Sequence, residues 1–409
     1  MAFQVADEAR RFEQRGLTMT NTTPGMVCAH HHLYSSLARG MPAPRGNTDS
    51  FISILENIWW QLDAALDLDM IYWSAALGAA EALASGTTCI IDHHESPNAI
   101  EGSLATISKA CRDVGVRVNT SYGVTDRWDN EGNLHSSVDR SVKMTSAARR
   151  GLDEGFAFIK SGGRGMIGVH AAFTCGDETL SEAAALASSL GVGVHIHVAE
   201  GIDDLDAGSR LESLAKDDWL LVHAVHLDRD LMGSIVHNPR SNMNNSVGYA
   251  KPTERPNPIL LGTDGIGADM LEEARLAYVR LRESDVTQTP ETVWKWLHTS
   301  EKFFPEIVND TVTWSYDHTD SPWHVAFTPG IRCVDVRVDG QLVVQNGNPT
   351  QFDMNEVRTK AAEAAAKIHK KLALGNHASV HSVITFRSHS IAHQPPRRPS
   401  TYWWNRHDG

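Results

Sequence analysis

From Pro24 to about Gly267, short apolar runs alternate with stretches of helical period, the pattern of βα units laid around a parallel sheet. The runs Met26–Ala29, Thr88–Ile91, Val116–Val124, Ile167–Val169, Val192–Ile196, Trp219–Val222, Ser234–Val236 and Ile259–Gly262 predict eight strands. Eight is the strand number of a (β/α)8 barrel of TIM type. Between them, helical period over Leu55–Leu68 and Ala75–Ser85 and the Ala-rich stretch Asp177–Leu190 predict helices. The connection between the sixth and seventh strands is too short for a full helical crossover, and the stretch after His237 is polar with little helical period.

Past the barrel, Val334–Val338 and Leu342–Val344 flank Asp339-Gly340, a two-residue hairpin turn. A helix rich in Ala, Lys and Glu is predicted over Asn355–Leu374. From Asn376 the chain turns to Ser, His, Pro and Arg, a composition that cannot bury enough apolar surface to order itself. The expected organisation is an N-terminal segment over 1–23, a barrel over 24–300, the hairpin and helix over 301–375, and a disordered tail over 376–409.

Composition narrows the partners. Hydrophobic residues are 41% and charged residues 21% of the 409, which suits a globular protein, and no apolar run approaches a membrane span. The formal charge of -13 argues against nucleic acid, which demands a basic face. Asp7, Glu8, Arg10, Arg11 and Glu13 stand where a signal peptide would be apolar. The five cysteines are scattered, with no Cys-x-x-Cys pair. Both features predict a reducing cytoplasmic setting. The expected partners are a small molecule and water, without membrane or nucleic acid.

The chemistry sits where the predicted strands end. Barrel enzymes build their sites at the C-terminal ends of strands, and these exits read His30-His-His32, Asp92-His-His94, Asp126-Arg127, His170, His197, His223, His237 and Thr263-Asp264. A structural histidine is the ordinary reading of any one exit. A polar, ligand-type residue at every exit on one end of one sheet is not ordinary. Histidines at i and i+2 of a strand share a face, so His30 and His32 can hold one ion while His31 points away. His197 from the fifth strand and Asp264 from the eighth would complete a nitrogen and oxygen site for one divalent ion, zinc or iron, with a position left for water. Such an ion lowers the pKa of water from about 15.7 towards about 7. Asp264 can then accept the water proton, Glu200 in His197-Val-Ala-Glu200 is the second acid/base, and His223 can polarise the attacked atom. His94, Arg127 and His237, with Asp92, His93, Asp126 and Arg240, are candidate substrate contacts at the exits.

In this order, Pro24-Gly-Met-Val-Cys-Ala-His-His-His32, His197-Val-Ala-Glu200, His223-Ala-Val-His-Leu227, His237-Asn-Pro-Arg-Ser-Asn242 and Leu261-Gly-Thr-Asp-Gly265 resemble the amidohydrolase superfamily. Within it the chain is similar to the deaminase branch of guanine, cytosine and S-adenosylhomocysteine deaminases and triazine hydrolases. Ile91-Asp-His-His-Glu-Ser-Pro97 and Asn238-Pro-Arg-Ser-Asn-Met-Asn-Asn-Ser-Val-Gly-Tyr249 resemble the SsnA aminohydrolases most.

The resemblance implies a mononuclear metal at His30, His32, His197 and Asp264, a proton-handling pair Glu200 and His223, His170 near substrate, and a homodimer. Binuclear relatives carry a carboxylated lysine at the end of the fourth strand. Here that strand ends in His170, and Lys160 lies too early. The implied reaction is deamination of a nitrogen heterocycle (purine, pterin, pyrimidine or triazine) by metal-activated hydroxide with release of ammonia. Dechlorination at the same site, or a catalytically impaired accessory or scaffold role, are the alternatives. Members of this branch open with a longer run of strand that forms half of a small β-sandwich. Residues 1–23 are expected to be a trimmed version of it, which would leave the C-terminal hairpin without partner strands.

Overall fold

The computed structural model describes residues 21–374. The predicted tail and residues 1–20 of the N-terminal segment lie outside them. All eight predicted barrel strands form: β2 (Met26–His31), β3 (Thr87–His94), β4 (Arg117–Tyr122), β5 (Ile167–Ala171), β6 (Val194–Val198), β7 (Leu220–His223), β8 (Ser234–His237) and β9 (Ile259–Leu261). Most run further at their C-terminal ends than the apolar runs do, so that several of the expected exit histidines are the last residues of the strands themselves.

The parallel ladder is not continuous, in contrast to the unbroken barrel the sequence predicts. It forms a three-stranded sheet, β2-β3-β4, and a five-stranded sheet, β5-β6-β7-β8-β9. Isolated parallel bridges link the two, Thr120 to Gly165 and Val124 to Val169 on one side and His31 to Asp264 on the other. The backbone approaches closely at both seams. A Cβ on Gly168 would lie 2.2 Å from the Tyr122 carbonyl oxygen, and one on Gly262 would lie 2.9 Å from the His30 amide nitrogen. Only glycine allows these approaches. Where the ladder lapses, hydrogen bonds still cross, from Val124 N to Gly168 O at 3.3 Å and His170 N to Val124 O at 2.9 Å at one seam, and from Thr263 N and Asp264 N to His30 O at 3.0 and 3.1 Å at the other.

Strand alternation divides the side chains into two cores. Val27, Ala29, Cys89, Ile91, Leu220, Val222, Val236 and Leu260 form an inner cluster with Phe304 and Ile307. Their neighbours Cys28, Ile90, Ile196, Leu221, Ile235 and Leu261 join an outer core with the helices. In the helix Ser103–Val114, buried Leu104, Ile107, Cys111 and Val114 form the packed stripe, and Gly115, at φ 98°, ends it.

Of the predicted helices, Asp177–Leu190 forms as expected. Leu55–Leu68 does not form as one helix. A π turn at Leu55–Trp59 leads into Trp60–Ala65, Leu66 turns extended, and the Asp67 side chain caps a new helix over Leu68–Ala84 by accepting from Met70 N. The cap competes with continuation and wins because Asp favours N-cap geometry over helix interior.

Residues 224–233 join β7 to β8 with no helix, as their length predicts. Asn257 braces this turn, donating to Leu231 O and Gly233 O at 2.8 and 2.9 Å. Neither this short link nor the short helix Pro239–Asn244 after β8 disturbs the parallel pairing of β7, β8 and β9.

The C-terminal hairpin has partners, contrary to expectation. β11 (Cys333–Val338) and β12 (Gln341–Gln345) belong to a five-stranded antiparallel sheet ordered β1-β10-β11-β12-β13, with β1 (Thr22–Thr23), β10 (Thr311–Trp314) and β13 (Asn348–Pro349). The few residues of β1 suffice because they are tied from the side as well: Trp314 Nε1 donates to Thr23 Oγ1 at 2.9 Å. The hairpin turn has Asp339 and Gly340 both at positive φ, as its two-residue length requires. The helix Met354–Leu374 packs on Leu68–Ala84. No helix among the described residues is long and apolar enough to cross a membrane.

Candidate active site

The C-terminal ends of β2, β6, β7 and β9 converge on one cluster. On β2 an irregularity in register against β3 falls between Cys28 and His31. It resets the alternation, so that His30 follows Ala29 onto the inner side and His31 does not. His31 Nδ1 instead meets the Asp264 carbonyl at 2.5 Å. His197 shares the inner parity of His195, since Val194 and Ile196 face the outer core. Asp264 reaches the cluster from the turn just past β9, where its φ is 55°.

Each imidazole is held from behind. His32 Nδ1 donates to His93 O at 2.6 Å and His197 Nδ1 donates to His170 O at 2.7 Å. A carbonyl only accepts, so the proton is on Nδ1 in both rings when they are neutral, and each Nε2 presents a lone pair. Those two Nε2 atoms are 3.3 Å apart. His30 Nδ1 pairs with His195 Nε2 at 2.9 Å, and His195 Nδ1 with Ser121 Oγ at 3.2 Å. His30 Nε2 is then left buried with no hydrogen bond.

Asp264 completes the cluster. Its Oδ1 lies 3.1 Å from His32 Nε2 and 3.7 Å from His30 Nε2. Gly265 N donates to Oδ1 at 2.8 Å and Ser241 Oγ to Oδ2 at 2.6 Å. The ligand atoms of His30, His32 and His197 all lie within 4.8 Å of one another, as do those of His30, His223 and Asp264. This donor set fits a divalent ion of zinc or iron type: imidazole nitrogens with a fixed tautomer, one carboxylate, and a buried nitrogen that nothing else satisfies.

The charges follow the same geometry. Burial works against a charged His32, but the Asp264 carboxylate outweighs it and pushes the imidazole up to about 9. Asp264 is held well below the usual carboxylate range despite burial, by His30 and His32. Burial, then the charge of His32, pulls His197 down to about 3. Next to this group, His223 Nε2 stands 3.2 Å from Glu200 Oε2 and 3.8 Å from Asp264 Oδ2, and Asn242 Oδ1 anchors its Nδ1 at 2.7 Å. Burial pushes the Glu200 carboxyl up to about 7, even with His223 beside it.

The backbone is strained where these groups sit. Ala199, His223, Ala224 and Asp264 all have φ between 46° and 71°, a region non-glycine residues seldom adopt.

The cluster opens into a cavity of about 850 Å³ including its mouth, lined in part by Tyr34, Trp59, Trp60, Phe173, His170 and Glu200. His170 faces it as the sequence suggests. His94, Arg127 and His237 are not among its lining residues. His94 has the outer parity of Ile90, and its Nε2 bonds Ser96 Oγ at 2.9 Å. His237 has the outer parity of Ile235 and packs its ring against Tyr249 and Trp296. The Arg127 side chain is fully buried behind the wall, with Nη2 on Glu95 and Asp63 and its guanidinium over the Trp60 ring. Of the other exits, His93 is the one that turns inward, its ring centroid 4.6 Å from that of His197.

The pocket also contains residues the sequence did not single out, Asp63, Glu95, Ser241 and Asn245 among them. Asp63 and Ser241 come from short helices, and Glu95 and Asn245 from the turns that follow β3 and the helix Pro239–Asn244, where no period marks a facing side. Glu95, Ser241 and Asn245 carried a signal only as members of the motifs Ile91-Asp-His-His-Glu-Ser-Pro97 and Asn238-Pro-Arg-Ser-Asn-Met-Asn-Asn-Ser-Val-Gly-Tyr249, and Asp63 carried none.

Residues 21–297 match the model of the amidohydrolase family. The chain is 27% identical over 390 residues to the 5'-deoxyadenosine deaminase of Methanopyrus kandleri, covering 84% of this chain and 86% of that one. It is 29% identical over 281 residues to the 5-methylthioadenosine/S-adenosylhomocysteine deaminase of Caldanaerobacter subterraneus subsp. tengcongensis, covering 62% of this chain and 60% of that enzyme. Among solved structures, an adenosine deaminase from Xanthomonas campestris with bound zinc superposes with a TM-score of 0.69 at 18% identity, covering 85% of this chain and 86% of that one. The zinc complex of atrazine chlorohydrolase TrzN from Arthrobacter aurescens also gives 0.69, at 20% identity, covering 85% and 88%. With the family model matched over residues 21–297, more than half of its length, this chain belongs to the amidohydrolase family.

Proposed function

We propose that this chain is a metal-dependent deaminase of amino-substituted nitrogen heterocycles, with an adenine-type ring as the first substrate class to try. The observation that carries this reading is the convergence of the Nε2 atoms of His30, His32 and His197 with Asp264 directly beside the Glu200 and His223 pair, inside one aromatic-walled cavity. A divalent ion on His30, His32, His197 and Asp264 would supply Lewis acidity and a nucleophilic water at neutral pH.

The chain's own groups handle the protons. Glu200, protonated near neutrality, donates to the ring nitrogen next to the attacked carbon. Asp264 accepts a proton from the water, and His223, between Asp264 and Glu200, orients the attacked atom and stabilises charge there. The amino group takes up the proton held by Asp264 and leaves as ammonia, and the second proton of the water returns to Glu200, so that water and amine become carbonyl and ammonia. His170 is read as a contact to the ring. The seam hydrogen bonds at Thr263 and Val124 support reading residues 24–300 as an eight-stranded barrel around the site.

The test is elemental analysis of protein expressed with zinc or with iron, alongside ammonia release from adenosine, 5'-deoxyadenosine and 5'-methylthioadenosine. The expected result is about one ion per chain and ammonia from at least one nucleoside, both lost in His30→Ala. Bound metal with no ammonia from any amino-heterocycle would overturn the reading. Chloride release from a chlorinated triazine would reassign the leaving group.

A further inference from the structure

The three imidazoles of the cluster are not held in the same way. His32 and His197 each donate from Nδ1 to a backbone carbonyl, which can only accept, so a single contact fixes the direction of each ring. At His30 the partner is a side chain instead. Its Nδ1 meets His195 Nε2 at 2.9 Å, and an imidazole nitrogen can either donate or accept. The direction of His30 therefore depends on what holds His195.

His195 lies one inward-facing position before His197 on β6 and is completely buried. A ring desolvated to this degree is neutral and carries one proton, so the state of its Nδ1 decides the state of its Nε2. Nδ1 faces Ser121 Oγ, on β4, at 3.2 Å, and the same oxygen lies 3.2 Å from the Asp92 carbonyl, on β3. Ser121 has one proton for these two neighbours. Given to Asp92 O, it makes three contacts complementary: Ser121 donates to the carbonyl, His195 Nδ1 donates to Ser121, and His30 Nδ1 donates to His195 Nε2. Given to His195, it loses the contact to Asp92, reverses both rings and leaves the His30 proton on Nε2, pointing among the ligand atoms. The first order uses every contact, and burial penalises one left unmade. It presents His30 Nε2 as a lone pair, the buried nitrogen that has no hydrogen bond.

Resting on the metal-site reading above, we propose that Ser121 and His195 are positioning residues that set the direction of His30 and so make the cluster able to take a divalent ion. Ser121 orders the chain of protons, and His195 carries that order across the barrel interior to β2. Neither belongs to the ligand set, so both act through His30.

The test is the zinc affinity of the full chain, measured by competition with a chromophoric chelator, together with the imidazole nitrogen NMR shifts of the metal-free protein. The expected result is a His30 proton on Nδ1 in wild type, and a zinc Kd raised about 10–100-fold in His195→Leu, which fills space without an acceptor. His195→Gln, whose amide oxygen can accept from His30 while its nitrogen donates to Ser121, should recover most of this loss, which a ring needed only for packing would not explain. Ser121→Ala should mix the two tautomers of His30 and weaken zinc binding to a smaller extent. Equal losses in His195→Leu and His195→Gln, with thermal midpoints showing both folded, or a His30 proton on Nε2 in wild type, would overturn the assignment. If the variants do not fold, the His30 tautomer of wild type decides. Zinc bound equally well by wild type and His195→Leu would remove this inference and leave the metal site. A wild-type chain that takes up neither zinc nor iron, with His30 protonated on Nδ1, would remove the metal site while supporting the order of hydrogen bonds.

Discussion

Asn242 shows how a residue outside the ligand set can govern the chemistry. Its Oδ1 accepts the His223 Nδ1 proton at 2.7 Å, which leaves the other ring nitrogen turned to Glu200. Asn242→Ala should therefore lower kcat by about 10–100-fold with bound metal and thermal midpoint almost unchanged. Steady-state kinetics beside elemental analysis would show this, and loss of metal in step with rate would mean Asn242 acts on the ligands instead. The same scale explains what the sequence could reveal. His30, His32, His197 and Asp264 were legible because each ends a recognisable apolar run. His94 and His237 were misplaced because being at a strand exit says nothing of which side a residue faces. Counting by twos from Ile90 and Ile235, both outward, would have turned these two away and brought His93 in. Asp63 had no such register to read, and Arg127 looked like a ligand group while serving as the buried partner of two carboxyls.

At the scale of elements, the strand series was legible to within a few residues, while the break of the ladder into three and five strands was not. The close approach of the backbones at the two seams depends on Gly168 and Gly262, ordinary-looking glycines whose importance lies in backbones far apart in sequence. In Gly168→Ala the new Cβ would meet a backbone carbonyl that cannot move aside, so the cost should be about 1–3 kcal/mol of stability, read from denaturant midpoints at constant m. Gly262→Ala presses on the His30 amide as well and should lose stability and metal affinity together. If Gly262→Ala kept full metal content, the close approach at that seam would not be holding His30 in place. The small antiparallel sheet was half legible: Asp339-Gly340 marked the hairpin, but β1 and β10 are too short and too mixed in polarity to show a period.

On the scale of the whole molecule, buried polar groups tie units that hydrophobic packing alone would leave free to slide. Asp310 joins the antiparallel sheet to the parallel one. Its carboxylate accepts from Arg117 Nη2 at 2.9 Å, from Thr88 Oγ1 at 2.6 Å and from Asp339 N at 3.0 Å. Asp310→Ala strands those donors and should cost about 3 kcal/mol in thermal or denaturant unfolding. The proposed metal site spans a second division, because His30 and His32 belong with the three-stranded sheet whereas His197 and Asp264 belong with the five-stranded one. An ion held by all four would clamp the sheets at the seam where the His31 to Asp264 bridge and the hydrogen bonds from Thr263 N and Asp264 N to His30 O join them. Because an ion that binds only the folded state stabilises it by mass action, about 4 kcal/mol is expected at a thousandfold excess over Kd. Treatment with a chelator should lower the thermal midpoint by several degrees, and restoring zinc should recover it. In His197→Ala the midpoint should no longer respond to zinc, since one side of the clamp is gone. A chelator-insensitive midpoint in metal-loaded wild type would show that the sheets are held without the ion, whatever its part in the chemistry.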